Sequence, residues 1–291
     1  MTDSLSIKPI LRLIAELPLE HQERLVLLGG QAIAFWGAYF FEDRLETPEA
    51  AALTSSDLDI AAGSKEGVRV LARAWEASAT FPGPDDQTPN MAVIELQRPE
   101  LREGGGHFTV DVMNSVYGNV DASDLTAWSE LVEWTLDEEA HSVVRFRVVS
   151  PQMLLWTRIA NLQYRYMSES ATQRELVRTK VLCEIVREHL DNFAQDILLE
   201  PALRRPALKH AAFVYRDIAK RRETRVVLAN HPELIEPFMG TIPDSPFWPD
   251  KLPDAATRWQ RWLSRRVETL RAHRKNRAAI KAAKQASSND A

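Results

Sequence analysis

The chain is poor in the features that would assign it at a glance. Of its 291 residues only one is cysteine, Cys183. No intrachain disulfide can form, which predicts a reducing compartment. Val181, Leu182, Ile185 and Val186 surround that cysteine in sequence, the setting of a buried, inert thiol rather than a nucleophile. No apolar run approaches the roughly 18–20 residues of a membrane span. Met1-Thr2-Asp3-Ser4 lacks the basic start and apolar core of a secretory signal. Together these absences predict a cytoplasmic protein with no membrane partner. Positive charge is not in excess either: the net charge is -5 and the pI about 5.9, so no general attraction to nucleic acid is expected. The histidines are scattered and show no metal-ligand spacing along the chain.

What is present is ordinary for a globular protein, 45% hydrophobic and 26% charged residues, with length enough for one large domain or two smaller ones. Apolar residues recur at helical spacing over 7–17, 31–41 and 64–78. Short apolar or alternating runs at 25–28, 57–61, 91–96, 108–113 and 143–149 read as strands. Residues 42–55 read as a loop or a short extra helix, and 82–90 and the flexible Gly104-Gly105-Gly106 as loops. Ser150-Pro151 opens a wholly helical remainder, with helices over 151–168, 171–190, 207–229 and 256–285. A proline-rich stretch, 240–254, reads as a rigid connector. Strands interleaved with helices, then helices alone, predict an α/β or α+β domain over 1–150 and a helical domain over 151–291.

The residues with chemical content lie in the first part. Asp57-Leu58-Asp59-Ile60 places two carboxylates on one face of a strand and two apolar side chains on the other. Like charges held so close repel unless a cation joins them, and a hard divalent cation such as Mg²⁺ takes oxygen ligands. Asp111, between Val110 and Val112 on a later strand, supplies a third carboxylate. Three such groups can serve a two-metal site. Upstream, the run Leu25-Val26-Leu27-Leu28 ends in Gly29-Gly30. Two glycines let backbone approach a ligand closely, and the helix that follows points its first amides at any phosphate placed there. Ser55 or Ser56 could add a hydroxyl.

In that order, Leu27-Leu28-Gly29-Gly30-Gln31-Ala32, Ser55-Ser56-Asp57-Leu58-Asp59-Ile60 and Val110-Asp111-Val112 resemble the nucleotidyltransferase superfamily, with its polymerase β-like fold. Pro151-Gln152-Met153-Leu154-Leu155-Trp156-Thr157-Arg158 is similar to a later motif of the bacterial abortive-infection and toxin-type members. The resemblance spans roughly residues 22–190. It implies an α+β fold, a mixed sheet with flanking helices followed by a helical C-terminal part. It implies that Asp57, Asp59 and Asp111 hold two Mg²⁺ ions and carry catalysis, with Asp111 beside the attacking hydroxyl. It further implies that Gly29, Gly30 and Ser55 or Ser56 hold an NTP, with Arg158 and Lys180 at its phosphate or base. Lys180-Val181-Leu182-Cys183-Glu184 carries valine where the family pattern has aspartate, and residues 42–54 look inserted. The activity implied is transfer of a nucleotidyl group to RNA (a tRNA among the candidates) or protein, in a toxin or defence component with an antitoxin partner. An inactive nucleotide-binding or protein-binding module and a small-molecule nucleotidyltransferase are the alternatives.

The C-terminal segment departs from the acidic average. Arg258, Arg261, Arg265, Arg266, Arg271, Arg274, Lys275, Arg277, Lys281 and Lys284 face a single acid, Glu268. This reads as a helix that either clamps an RNA acceptor through its phosphates or is a solvated basic face. Residues 121–139, by contrast, are acidic.

Overall fold

The computed structural model describes residues 7–41, 57–83, 85–86, 88–98, 108–137, 142–242 and 251–289. The stretches 42–55 and 104–106 therefore lie outside the described residues. Helices α1 (Ile7–Ala15) and α2 (Leu19–Gln22) lead into strand β1 (Val26–Leu27) and helix α3 (Gly29–Phe40). Strand β2 (Leu58–Ala61), helix α4 (Lys65–Ala74) and strands β3 (Ser78–Thr80), β4 (Asn90–Leu96) and β5 (Phe108–Met113) follow. A small hairpin, β6 (Ser115–Val116) with β7 (Val120–Asp121), precedes α5 (Ala122–Ala127), β8 (Ser129–Asp137) and β9 (Ser142–Val149).

Seven of the strands form one mixed sheet in the order β3-β4-β5-β2-β1-β9-β8. β2 runs parallel to β5, and β1 parallel to β9, while β1 and β2 are antiparallel. Strict alternation sorts the two faces. Phe108, Val110 and Val112 of β5 are fully buried, whereas Thr109, Asp111 and Met113 between them are only partly so. In register with them lie Leu58, Ile60, Leu27 and Val148 on the buried face. Helix α3 covers that face, setting Phe35 edge-on to Phe146 and Trp134 at 5.4 Å between ring centroids. Phe35 and Phe146, both fully buried, contribute about 1.5–3 kcal/mol each. Indole donors tie helices to neighbours: Trp36 Nε1 donates to Val149 O at 2.9 Å, and Trp75 Nε1 to Leu13 O at 2.9 Å.

From Pro151 on, the described chain is helical. Helix α6 (Pro151–Tyr164) is buried over most of its length and packs on α7 (Glu169–Leu199). After α8 (Arg204–Ala212) come a π-helical turn (Phe213–Ile218), α9 (Arg222–Asn230), α10 (Ile235–Met239) and α11 (Lys251–Asn289). The chain is thus α+β, a mixed sheet with flanking helices and a helical C-terminal part.

Two readings change, and the acidic stretch takes form over residues 121–137: Asp121 and Asp124 close a capping box on α5, and Ser129–Asp137 is the edge strand β8. The single helix predicted over 207–229 is two helices joined by the π turn, with Arg221 extended (φ -66°, ψ 144°) at the head of α9. Of the connector prolines, Pro253 lies in the first turn of α11, where a missing N–H costs nothing; Pro243, Pro246 and Pro249 lie outside the described residues. Among the described residues no helix is long and apolar enough to cross a membrane.

Candidate functional site

Asp57 immediately precedes β2 and Asp59 is its second residue. In the parallel pairing of β2 with β5, Asp59 lies directly opposite Asp111. Residues so paired project on the same side, here the one away from Leu58, Ile60, Val110 and Val112. Thr109, two positions before Asp111 and on the same face, donates its hydroxyl to Asp57 Oδ1 at 3.2 Å. The three carboxylates are thus gathered by strand register. Hydrogen bonds then separate them, for Thr109 holds Asp57 and the Gly30 N–H holds Asp59.

Crowding shows in their acidity. Asp59 is pushed up to about 6, chiefly by burial. The charge of Arg158 works against that rise, the charges of Asp111 and Asp57 add to it, and the Gly30 N–H lowers it. Asp111 is also raised, by burial first and by Asp57 second. Carboxylates that are partly buried and repel one another bind a cation, or a proton, readily.

Gly29 and Gly30 open α3 on the far side of Asp59. Gly29 has φ +68°, and a Cβ built on it would stand 1.8 Å from Asp59 Oδ2. Leu28 N donates to Asp59 O at 3.0 Å. The first amides of α3 thus face the Asp59 carboxylate itself, and Gly30 N–H donates to it.

Arg158 projects from α6 and is nearly buried. Its Nη1 donates to Glu175 Oε1 at 3.1 Å and to Oε2 at 3.4 Å, and Asn161 Nδ2 donates to the same Oε1 at 3.2 Å. Its Nε is buried with no hydrogen-bond partner among the described residues. Arg178, one turn beyond Glu175 on α7, approaches Glu175 Oε2 at 4.0 Å and also feels the charge of Asp59. Burial, followed by Arg158, holds the Arg178 guanidinium below its ordinary value. Lys180 is half-buried on the same helix, about 200° round the axis from Arg178. The geometry therefore brings together Gly29, Gly30, Asp57, Asp59, Asp111 and Arg158, and sets Lys180 on a different side of α7 from Arg178. Ser55 and Ser56 lie outside the described residues. Glu175, Arg178 and Thr109 were missed in sequence. The available signal was a Glu-x-x-Arg pair on the helix face that continues with Leu182 and Ile185.

The scattered histidines are also partly gathered, contrary to the sequence reading. Glu130 (β8), His189 (α7) and His210 (α8) bring donor atoms within 4.8 Å of one another, a group that could hold a metal ion. Among the described residues it is the only such group, so the aspartate oxygens stand further apart than this. His189 Nε2 lies 2.8 Å from Glu130 Oε1. Gln152 bridges the rings, with Nε2 at 2.9 Å from His189 Nδ1 and Oε1 at 3.1 Å from His210 Nδ1. With His189 neutral, Gln152 donates from Nε2 to His189 Nδ1, leaving His189 Nε2 to donate, and accepts at Oε1 from His210 Nδ1. Burial works to raise Glu130, but the hydrogen bond and charge of His189 outweigh it and hold the carboxyl below its usual range. His210 is lowered to about 4, by burial first and the charge of His189 second. Glu130 pairs with Val148, so this cluster sits on the sheet face opposite the aspartates.

On α11, Trp259, Leu263 and Val267 are buried, while among the described side chains beyond Val267 none is. Arg258, Arg261, Arg265 and Arg266 line a depression of about 460 Å³ around Trp262.

No protein-family model matches the chain, and no curated protein sequence matches it. Among solved structures, an antigenic nucleotidyltransferase-like protein from Paracoccidioides brasiliensis is similar in its course, at 11% identity and a TM-score of 0.45. The match covers 81% of this chain and 94% of that one.

Proposed function

We propose that this chain is a metal-dependent nucleotidyltransferase, moving a nucleotidyl group from an NTP to an RNA or protein acceptor. The observation that carries the reading is the register pair Asp59–Asp111 with Asp57 beside it. The donor chemistry fits Mg²⁺, since every candidate ligand is a carboxylate oxygen, and burial followed by mutual repulsion raises Asp59 and Asp111 even with Arg158 acting against the rise at Asp59. Asp57, Asp59 and Asp111 would hold the metal, which supplies neutralisation of the triphosphate and a lowered pKa for the attacking hydroxyl.

The chain's own groups do the rest. Asp111, opposite Asp59 in the strand register, is the carboxylate placed to take the hydroxyl proton. Arg158 offers a fixed positive charge next to Asp59 and an uncommitted Nε–H. Glu175 and Asn161 clamp it, so it stabilises charge without reorganising. Gly29 and Gly30 permit close backbone approach, and Ser55, Ser56 and Lys180 are the further candidates for the NTP. In this reading residues 1–150 form the carboxylate-bearing domain and 151–291 a helical domain.

The RNA acceptor rests on the exposed cations of α11. The toxin or abortive-infection role and the antitoxin partner rest on the resemblance of residues 151–158, and the cytoplasmic location on the lone cysteine. A binding module without catalysis is the second reading, favoured by Val181 in place of an aspartate and by the commitment of Arg158 to Glu175.

Calorimetric titration of each NTP with Mg²⁺ tests the proposal, in the wild type and in Asp57→Ala/Asp59→Ala. Metal-dependent binding, lost in the variant, is expected. Folded wild type that binds no NTP at any Mg²⁺ concentration overturns it.

A further inference from the structure

A cavity with mixed walls is lined by none of the residues of the site above. It measures about 670 Å³ and lies between the β6–β7 hairpin, the end of α6 and the head of α9, within the size range of small-molecule sites. Its lining also takes in Asp86, Thr88 and Pro89 ahead of β4, and Ser115 just beyond the end of β5.

Its walls are aromatic and planar. Trp156 forms the floor and donates from Nε1 to Gly118 O at 3.3 Å. Gly118 has φ +97°, and a Cβ there would stand 2.6 Å from that Nε1, so only glycine lets the hairpin close over the indole. The Arg221 guanidinium lies 4.1 Å over the Trp156 ring. Arg221 is exposed, so a planar cation already stacked on one side still meets the cavity on the other. Tyr117 and Tyr164, 44% and 53% exposed, stand at the rim. Large rings left in water beside a stacked guanidinium match the way proteins hold unstacked bases. The polar contact is specific as well. Tyr164 donates its hydroxyl to Glu223 Oε1, and the carboxylate, which also takes a bond from its own backbone N–H, keeps lone pairs at the cavity wall that can accept from an amino group.

We propose that this cavity is a nucleobase site that prefers bases carrying an exocyclic amine. The base stacks between Arg221 and the tyrosines, and its amine donates to Glu223. The geometry stands on its own; only the assignment of that base to the transfer reaction rests on the proposed function.

The experiment is calorimetric titration of AMP, CMP, GMP and UMP into the full chain without divalent cation, with Asp57→Ala/Asp59→Ala in parallel. AMP, CMP and GMP should bind about tenfold or more tightly than UMP, in both proteins. Arg221→Ala and Tyr117→Ala should each weaken binding about tenfold, the scale of losing one stacking partner. Glu223→Gln should remove the preference against UMP while the protein keeps its thermal stability. A short single-stranded oligoadenylate separates two sources of the base. Much tighter binding than AMP, through the same residues, supports a base of an RNA strand, and equal binding supports a free nucleotide. Failure of every monophosphate to bind folded wild type overturns the proposal, as does binding that Arg221→Ala leaves unchanged. Loss of Mg²⁺-dependent NTP binding with AMP binding intact counts against the transfer reading alone.

Discussion

Gly29 and Asp59 compete for one space. The Cβ that any other residue would bring to position 29 falls 1.8 Å from Asp59 Oδ2, and φ there is +68°. Gly29→Ala therefore adds backbone strain of about 1–3 kcal/mol and displaces the carboxylate from its place opposite Asp111. A fall in melting temperature together with loss of Mg²⁺-dependent NTP binding is expected. Gly63→Ala is the control: nothing lies within 4 Å of its Cβ, and neither readout should change. A Gly29→Ala protein that melts and binds like wild type would contradict the packing described.

The acidity of Asp59 has a definite sign in stability. Its folded pKa, about 6, lies above the ordinary 3.8, so the folded state holds the proton more tightly than the unfolded chain. Stability from this group is present at acid pH and is lost as pH rises from about 3.8 to about 6. Asp59→Asn keeps an oxygen for the Gly30 N–H and removes the charge. It should be more stable than wild type above pH 6, by up to about 3 kcal/mol, with the advantage gone below pH 4. Denaturant unfolding of both proteins at pH 4 and pH 8 measures the difference. A uniform gap at both values would show that charge is not the cause.

Glu175 anchors the cation that restrains Asp59. The Arg158–Glu175 pair is 3.1 Å long and its side chains are 10% and 5% exposed. Breaking so buried a pair by removing one partner costs about 3–5 kcal/mol. Arg158→Met should raise the Asp59 midpoint above 6, because Arg158 is the chief group lowering it. Glu175→Gln should lower it, since the guanidinium then has Asp59 as an unshared partner. Carboxyl-carbon NMR titration of Asp59 reads both shifts. Movement in the same direction in the two variants would refute this coupling.

The parts of this arrangement that were legible in sequence are those governed by a period of two. Alternation around Asp57, Asp59 and Asp111 announced strands with one apolar face, and register then placed the second and third together. Gly29-Gly30 at the end of an apolar run was equally readable as the turn into a helix. Strand β8 was hidden because it lies at the sheet edge. Glu130 and Glu133 fall on opposite faces of it and Leu131 is half exposed, so no apolar alternation emerges. Glu175 was hidden for a different reason: a carboxylate inside an apolar helical stripe is explained only by Arg158, 17 residues earlier on another helix. The Glu130–His189–His210 cluster joins a strand and two helices, and no local spacing records that.

That cluster predicts acid sensitivity of the opposite sign to Asp59. His210 has a folded pKa of about 4 against an ordinary 6.5, with burial the main cause. The unfolded chain therefore binds its proton first as pH falls. Stability from keeping His210 neutral is fully present above pH 6.5 and is lost between about 6.5 and 4, up to about 3 kcal/mol. The groups facing it are His189, Glu130, Gln152 and Lys209, and the charge of Glu130 limits the loss. His210→Asn removes the titration, though it leaves Gln152 Oε1 without its donor unless the amide reaches it. The variant should be less stable at neutral pH and lose less between pH 6.5 and 4. The useful background is Asp59→Asn, which takes away the opposing slope over the same window. Unfolding free energies of Asp59→Asn with and without His210→Asn, measured across pH 4–7, should converge as pH falls. Parallel curves would mean that His210 is protonated in the folded protein and that the network with Gln152 is arranged otherwise.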